Sequence, residues 1–78
     1  MFAVEDKIKG CLANIGLPKQ PASNQESLPD CGLDSLFSVM LVFELERTFG
    51  LRIPATEVTK PNFATVETIA QLLGRLSK

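Results

Sequence analysis

Fifteen residues, "SLFSVMLVFELERTF" at 35–49, set the narrowest limits on what this chain can fold into. They stand between Asp34, a residue type that caps helices, and Gly50, which readily takes the left-handed backbone that ends them. At about 100° per residue, Ser38, Leu41, Val42, Leu45 and Phe49 share one sector. Leu36, Val39, Met40 and Phe43 share a second, roughly opposite, and Phe37 lies off both beside Glu44. A helix apolar on two sides must be surrounded or must display part of its apolar surface. A chain of 78 residues has room for one domain and one core. The first sector is therefore expected to face that core and the second to be exposed in part, with Val39 and Phe43 the first positions that neighbours would cover. A contiguous exposed apolar patch marks a binding surface.

The other segments give the helix its company. Val4, Ile8, Cys11, Leu12 and Ile15 recur at helical spacing within residues 2–15, the acids Glu5 and Asp6 precede Lys7 and Lys9, and Gly16 with Pro18 stops the run. "LPKQPASNQESLPDCG", residues 17–32, holds three prolines and no sustained period, and reads as a long ordered loop of the kind that tends to be functional. Ser23 and Glu26 have capping-box spacing, but with no apolar run behind them a helix is not expected there. After Gly50, Ile53 is an apolar anchor and Pro54 blocks helix continuation. Thr56 is placed to cap one short helical turn through Val58 before Pro61 closes it. Thr65 then caps a last helix with a stripe of Val66, Ile69, Ala70, Leu73 and Leu76, Glu67 at its start, and Arg75 and Lys78 at its end. No alternating strand pattern occurs. The expected fold is all-α, a four-helix bundle of three main helices plus one short helix, with a long loop between the first and second.

Composition removes several functions. The eight Lys and Arg are scattered and the net charge is −1, which argues against nucleic-acid binding. Histidine is absent, and with it the commonest general base and transition-metal ligand. An enzyme in its own right and a metal site are not expected. Cys11 and Cys31, without a secretory signal or a dense cysteine framework, read as reduced thiols. The early acids and the lack of a long apolar run speak against a signal peptide or membrane insertion, and a cytoplasmic location is expected. Ser35 stands out instead. It sits at a helix N-terminus, where unbonded N–H groups and the dipole favour a phosphate ester, on the same side as Val39 and Phe43.

"GLDSLFSVMLVFELERTFGLRIP" at 32–54, followed by "TVETIAQLL" at 65–73, resembles the acyl carrier proteins. The likeness spans the chain, 1–78 as one carrier domain, and is sharpest from Gly32 to Leu73. It implies that Ser35, the serine of the Asp-Ser-Leu triplet, carries a 4′-phosphopantetheine arm through a phosphodiester. The arm's terminal thiol would hold an acyl or aminoacyl group as a thioester. Asp34 would cap the helix and help the phosphopantetheinyl transferase, the holo-carrier synthase, to place its substrate. The other partners implied are acyl-activating, condensing or acyl-transfer enzymes of fatty-acid, polyketide, modified-lipid or related biosynthesis, served by a monomer. They would meet Leu36, Phe37, Val39, Met40, Phe43, Glu46 and Glu57.

The sequence departs from that family at its second helix. Carriers of ordinary fatty-acid synthesis are strongly acidic there, whereas Phe37 and Met40 occupy positions where an acid is usual and Arg47 adds positive charge. Glu44 and Glu46 remain, with Glu57 on the short helix. Docking is expected to rest more on apolar contact than on charge, as in a specialised carrier. The alternative is a helical interaction module that uses the same apolar face without a prosthetic group.

Overall fold

The computed structural model describes residues 3–77, and they form three α-helices around one core. These are α1 (Val4–Asn14), α2 (Ser35–Phe49) and α3 (Val66–Leu76), and no strand occurs among the described residues. The expected short helix is a three-residue 3₁₀ turn, Ala55–Glu57, entered from Pro54; Thr56 lies inside the turn and makes no cap. A second 3₁₀ turn, Pro29–Cys31, ends the long loop. Sequence reading did not anticipate it, because Pro29 fits either a turn or an extended loop.

α1 packs against both α2 and α3. Ile8, Cys11, Leu12 and Ile15 are buried as their spacing predicts, but Val4 at the first turn is exposed. No basic residue occupies the last turn of α1, so its match to the helix dipole is confined to Glu5 and Asp6. Residue 2, the first of the range expected for α1, and Lys78 lie outside the described residues. From α2, Leu41 and Leu45 are fully buried while Val42 and Phe49 are packed against the core's edge. From α3, Val66, Ile69 and Leu73 are joined by Leu72, which the predicted stripe left out. Leu72 follows Ile69 by three residues and so falls on the same face. Each fully buried leucine or isoleucine contributes on the order of 1.5–3 kcal/mol of hydrophobic free energy.

The long loop is ordered because its own leucines enter the core. Leu17, Leu28, Cys31 and Leu33 are all buried. Its backbone is bonded on both sides: Lys19 N donates to Cys31 O (3.1 Å), Leu28 N to Ala64 O (2.8 Å), and Glu67 N to Asn24 O (3.0 Å). The last of these also satisfies an unbonded amide at the start of α3. Ser23 and Glu26 form a turn rather than a helix. The Glu26 carboxylate accepts from Ala22 N and from Lys19 Nζ, one residue out of register for a capping box. The box does form at Thr65, whose hydroxyl accepts from Thr68 N (3.1 Å) while Thr68 Oγ1 accepts from Thr65 N (3.0 Å). Both cysteines are buried and unpaired, as expected. The Cys11 thiol donates to Thr48 Oγ1, and burial pushes the Cys31 thiol above its ordinary pKa.

Gly32 and Gly50 both take left-handed backbone, with φ of 102° and 65°. A Cβ at Gly50 would meet nothing, whereas at Gly32 it would stand 2.9 Å from Pro18 Cδ and Cγ. Gly50→Ala is expected to cost about 1 kcal/mol and Gly32→Ala at least about 2 kcal/mol, read from urea-unfolding midpoints. Hydrogen bonding to Lys19 and Ala22 lowers the Glu26 pKa. A carboxyl lowered on folding stabilises the native state above its unfolded pKa, and that contribution is lost as pH falls through the folded value. Glu26→Gln is therefore expected to be less stable than wild type at neutral pH. The gap should close in urea titrations carried below the ordinary carboxylate range.

Candidate functional site

The site is assembled where the long loop delivers the chain into α2. Leu33 is buried, which fixes the approach, and Asp34 takes an extended conformation as the N-cap. Asp34 Oδ1 accepts from Phe37 N at 2.9 Å, and Asp34 O accepts from Ser38 N at 2.8 Å. The first helical residue is Ser35. It is exposed, and its hydroxyl has no hydrogen-bond partner among the described residues. The amides of Ser35 and Leu36, at the first two helical positions, have no carbonyl to reach within α2. An exposed hydroxyl thus stands beside unbonded donors at the positive end of a four-turn helix.

Beside Ser35 lies a cleft of about 560 Å³. Its α2 wall is formed by Asp34, Ser35, Ser38 and Val39, and the facing wall by Val58, Thr59, Lys60 and Phe63 from the segment between α2 and α3. Pro29 and Leu33 of the loop complete it. The facing wall is held by Asn62, whose side-chain amide donates to Glu57 O (2.9 Å) and Glu57 Oε1 (3.1 Å). Phe63, itself buried, anchors it in the core.

Next to the cleft, and sharing Val39 with it, α2 carries an apolar face. Leu36 is 67% exposed, Phe43 66%, Val39 51% and Met40 37%. The covering expected first at Val39 and Phe43 does not occur: Phe43 stays exposed, and Val39 meets the facing wall only across the open cleft. Phe37 departs from expectation in the other direction: it is half-buried and packed against the core, so it belongs to the support of the helix. The acidic residues expected to meet partners are engaged within the chain. Glu46 accepts from Ile53 N at 2.8 Å and ties the segment after α2 back to the helix. Glu57 accepts from Asn62 and lies 3.8 Å from Arg75, and Glu44 is paired with Arg47 at 2.6 Å.

Sequence reading missed the facing wall. Val58, Thr59, Lys60 and Phe63 lie in an aperiodic stretch, "VTKPNF", so no helical or strand register assigns them a side. Only Pro61 signalled a fixed turn there.

The chain matches the phosphopantetheine attachment site family over residues 6–76. It is 35% identical over 66 residues to aminoacyl carrier protein 1 of Bradyrhizobium diazoefficiens, covering 85% of this chain and 72% of that one. It is 45% identical over 47 residues to the D-alanyl carrier protein of Streptococcus pyogenes, covering 59% and 60%. A non-reducing polyketide synthase of Talaromyces marneffei is 39% identical over 74 residues, which are 91% of this chain and 3% of that protein; the chain thus spans a small part of that relative's length. Among solved structures, it resembles the carrier protein from Agrobacterium tumefaciens in complex with an engineered Bradyrhizobium japonicum glycine:(carrier protein) ligase and ATP. The TM-score is 0.83 at 25% identity, over 94% of this chain and 99% of that one. A chain in the structure of Bradyrhizobium japonicum glycine:(carrier protein) ligase complexed with glycylated carrier protein matches with a TM-score of 0.74 at 31% identity, over 87% of this chain and 95% of that one. With a family match across most of its residues and a helical fold shared with carriers, this chain belongs to the phosphopantetheine attachment site family of carrier proteins.

Proposed function

We propose that the chain carries an acyl group, and more specifically an aminoacyl group, on 4′-phosphopantetheine attached to Ser35, and delivers it to partner enzymes. The observation that carries this reading is the position of Ser35: an exposed hydroxyl at the N-terminus of α2, on the rim of a cleft and next to an exposed apolar face. The residues fit the group. A phosphodiester at Ser35 would sit beside the unbonded amides of the first turn, and the apolar stretch of the cleft offers contact for the arm's hydrocarbon segments. When bound, the arm supplies a terminal thiol on which cargo is held as a thioester. The chain's own residues hold and present it. Asp34 fixes the first turn through Phe37 N, and Leu36, Val39, Met40 and Phe43 form the docking face.

The choice of cargo is supported by relatives named aminoacyl and D-alanyl carrier protein, and by a glycine ligase complexed with glycylated carrier protein. The partners would be a phosphopantetheinyl transferase and an amino-acid-activating ligase, which act on the carrier as a substrate; the carrier itself is no enzyme. Residues 1–78 would work as one carrier domain, monomeric and cytoplasmic. No helix among the described residues is long and apolar enough to cross a membrane.

Incubation with a broad-specificity phosphopantetheinyl transferase and coenzyme A is expected to add the mass of one phosphopantetheine to the intact protein, and Ser35→Ala to abolish the addition. An interaction module without a prosthetic group would leave wild type unmodified and would overturn the proposal. Because Arg47 offsets Glu44 and Arg75 lies beside Glu57, leaving Glu46 the one of these acids without a cation among the described residues, ligase affinity should change by no more than about threefold from low to high salt, unlike charge-steered docking. Met40→Glu, which places a charge in the apolar face, should weaken the same binding about tenfold or more in calorimetry.

A further inference from the structure

We propose that Lys60 is a positioning residue for the arm, its ammonium pairing with the phosphodiester on Ser35 and holding the root of the arm against the segment between α2 and α3. This rests on Ser35 being the attachment residue. Attachment creates a local electrostatic problem. A phosphodiester keeps one negative charge at any neutral pH, and it would be covalently adjacent to Asp34, whose carboxylate is fixed in place by Phe37 N. Two like charges on neighbouring residues raise each other's energy unless positive charge lies close. The unbonded amides of the first turn supply part of it. A full positive charge must come from a side chain that shares the space.

Lys60 meets that requirement. It lines the cleft together with Ser35 from the facing wall, and Asp34 and Lys60 are the charged residues among those lining it. Three other cations have carboxylate partners, Lys19 with Glu26, Arg47 with Glu44 and Arg75 beside Glu57, and Lys7, Lys9 and Arg52, which have none among the described residues, do not line the cleft. Lys60 has no carboxylate within 4.0 Å among the described residues, and it is exposed. Its backbone is nevertheless well placed. Thr59 N donates to Glu57 O (3.0 Å), Asn62 N to Thr59 Oγ1 (3.3 Å), and Phe63 N to Thr59 O (3.1 Å), so the lysine is projected from a turn bonded before and after it. An ammonium on a flexible stem suits a phosphate oxygen as a point-charge partner, and the bond formed is charge-assisted. The arm would then leave Ser35 across the cleft, over Val39 and Phe63, instead of pointing freely into solvent.

The test compares apo and loaded full-length protein, with loading at Ser35 verified by intact mass and peptide mapping. Amine-selective acetylation with mass-spectrometric readout should show Lys60 reacting about threefold more slowly after loading, the factor of an exposed charge pair, with Lys7 and Lys9 unchanged. Shielding by the arm alone would slow acetylation too, so a second readout is required. The ³¹P resonance of the loaded protein should move in Lys60→Gln toward its position in the urea-unfolded loaded protein, and Lys60→Arg should restore most of the wild-type shift. A ³¹P resonance that is the same in wild type and Lys60→Gln, with the arm verified in place, overturns this inference and leaves the carrier function standing. Failure of Ser35 to accept the arm overturns both.

Discussion

The structure depends on the burial of Leu28. Its side chain is fully enclosed in the core although it comes from a loop, and its backbone is the junction of three hydrogen bonds. Leu28 N donates to Ala64 O, and Leu28 O accepts from Cys31 N (2.9 Å) and Leu33 N (3.0 Å). The first bond joins the loop to the residue before the Thr65 cap of α3. The other two wind the chain through the Pro29–Cys31 turn to the start of α2. Both walls of the cleft are thereby referred to one residue. Without that anchor, a sixteen-residue segment with three prolines would have no reason to hold Ser35 opposite Lys60.

The acidic side chains around α2 are used to hold the fold together. Glu46 binds the returning backbone at Ile53, Glu57 braces the turn through Asn62, and Glu44 is neutralised by Arg47. A carboxylate beside a guanidinium, as Glu44 and Glu57 are, offers little net charge to a partner, and Glu46 keeps its charge but is fixed in place by the backbone amide it accepts from. The surface left for recognition is hydrocarbon, which favours close shape matching over long-range attraction. Such a face discriminates by fit, and it suits a carrier that meets few enzymes better than one that must be recognised by many.

Much of this was legible from residue order alone, and the reasons are local. The bounds of α2 follow from Asp34 and Gly50, its buried sector from Leu41 and Leu45, and the start of α3 from Thr65, because caps and helical periodicity are short-range properties. The position of Ser35 at the start of α2 was visible for the same reason. What was not legible depends on tertiary placement. Phe37 sits between two sectors on a helical wheel, and only the position of neighbouring elements turns it onto the core. Glu46 and Glu57 read as free acids until the chain brings Ile53 and Asn62 to them. Lys60 belongs to a stretch without period, so its side of the cleft is set by Asn62 and Phe63 rather than by its own neighbours in sequence.

The inward turn of Phe37 matters beyond packing. The first turn of a helix is ordinarily its loosest part, since its amides lack partners and it frays into solvent. Here one residue gives its amide to Asp34 and its ring to the core, so the cap is fastened to the most stable region of the molecule. The serine next to that cap inherits the stiffness. If Ser35 is the attachment residue proposed above, an enzyme acting on it would meet a backbone already in place, with only the side-chain torsion left to fix at the encounter.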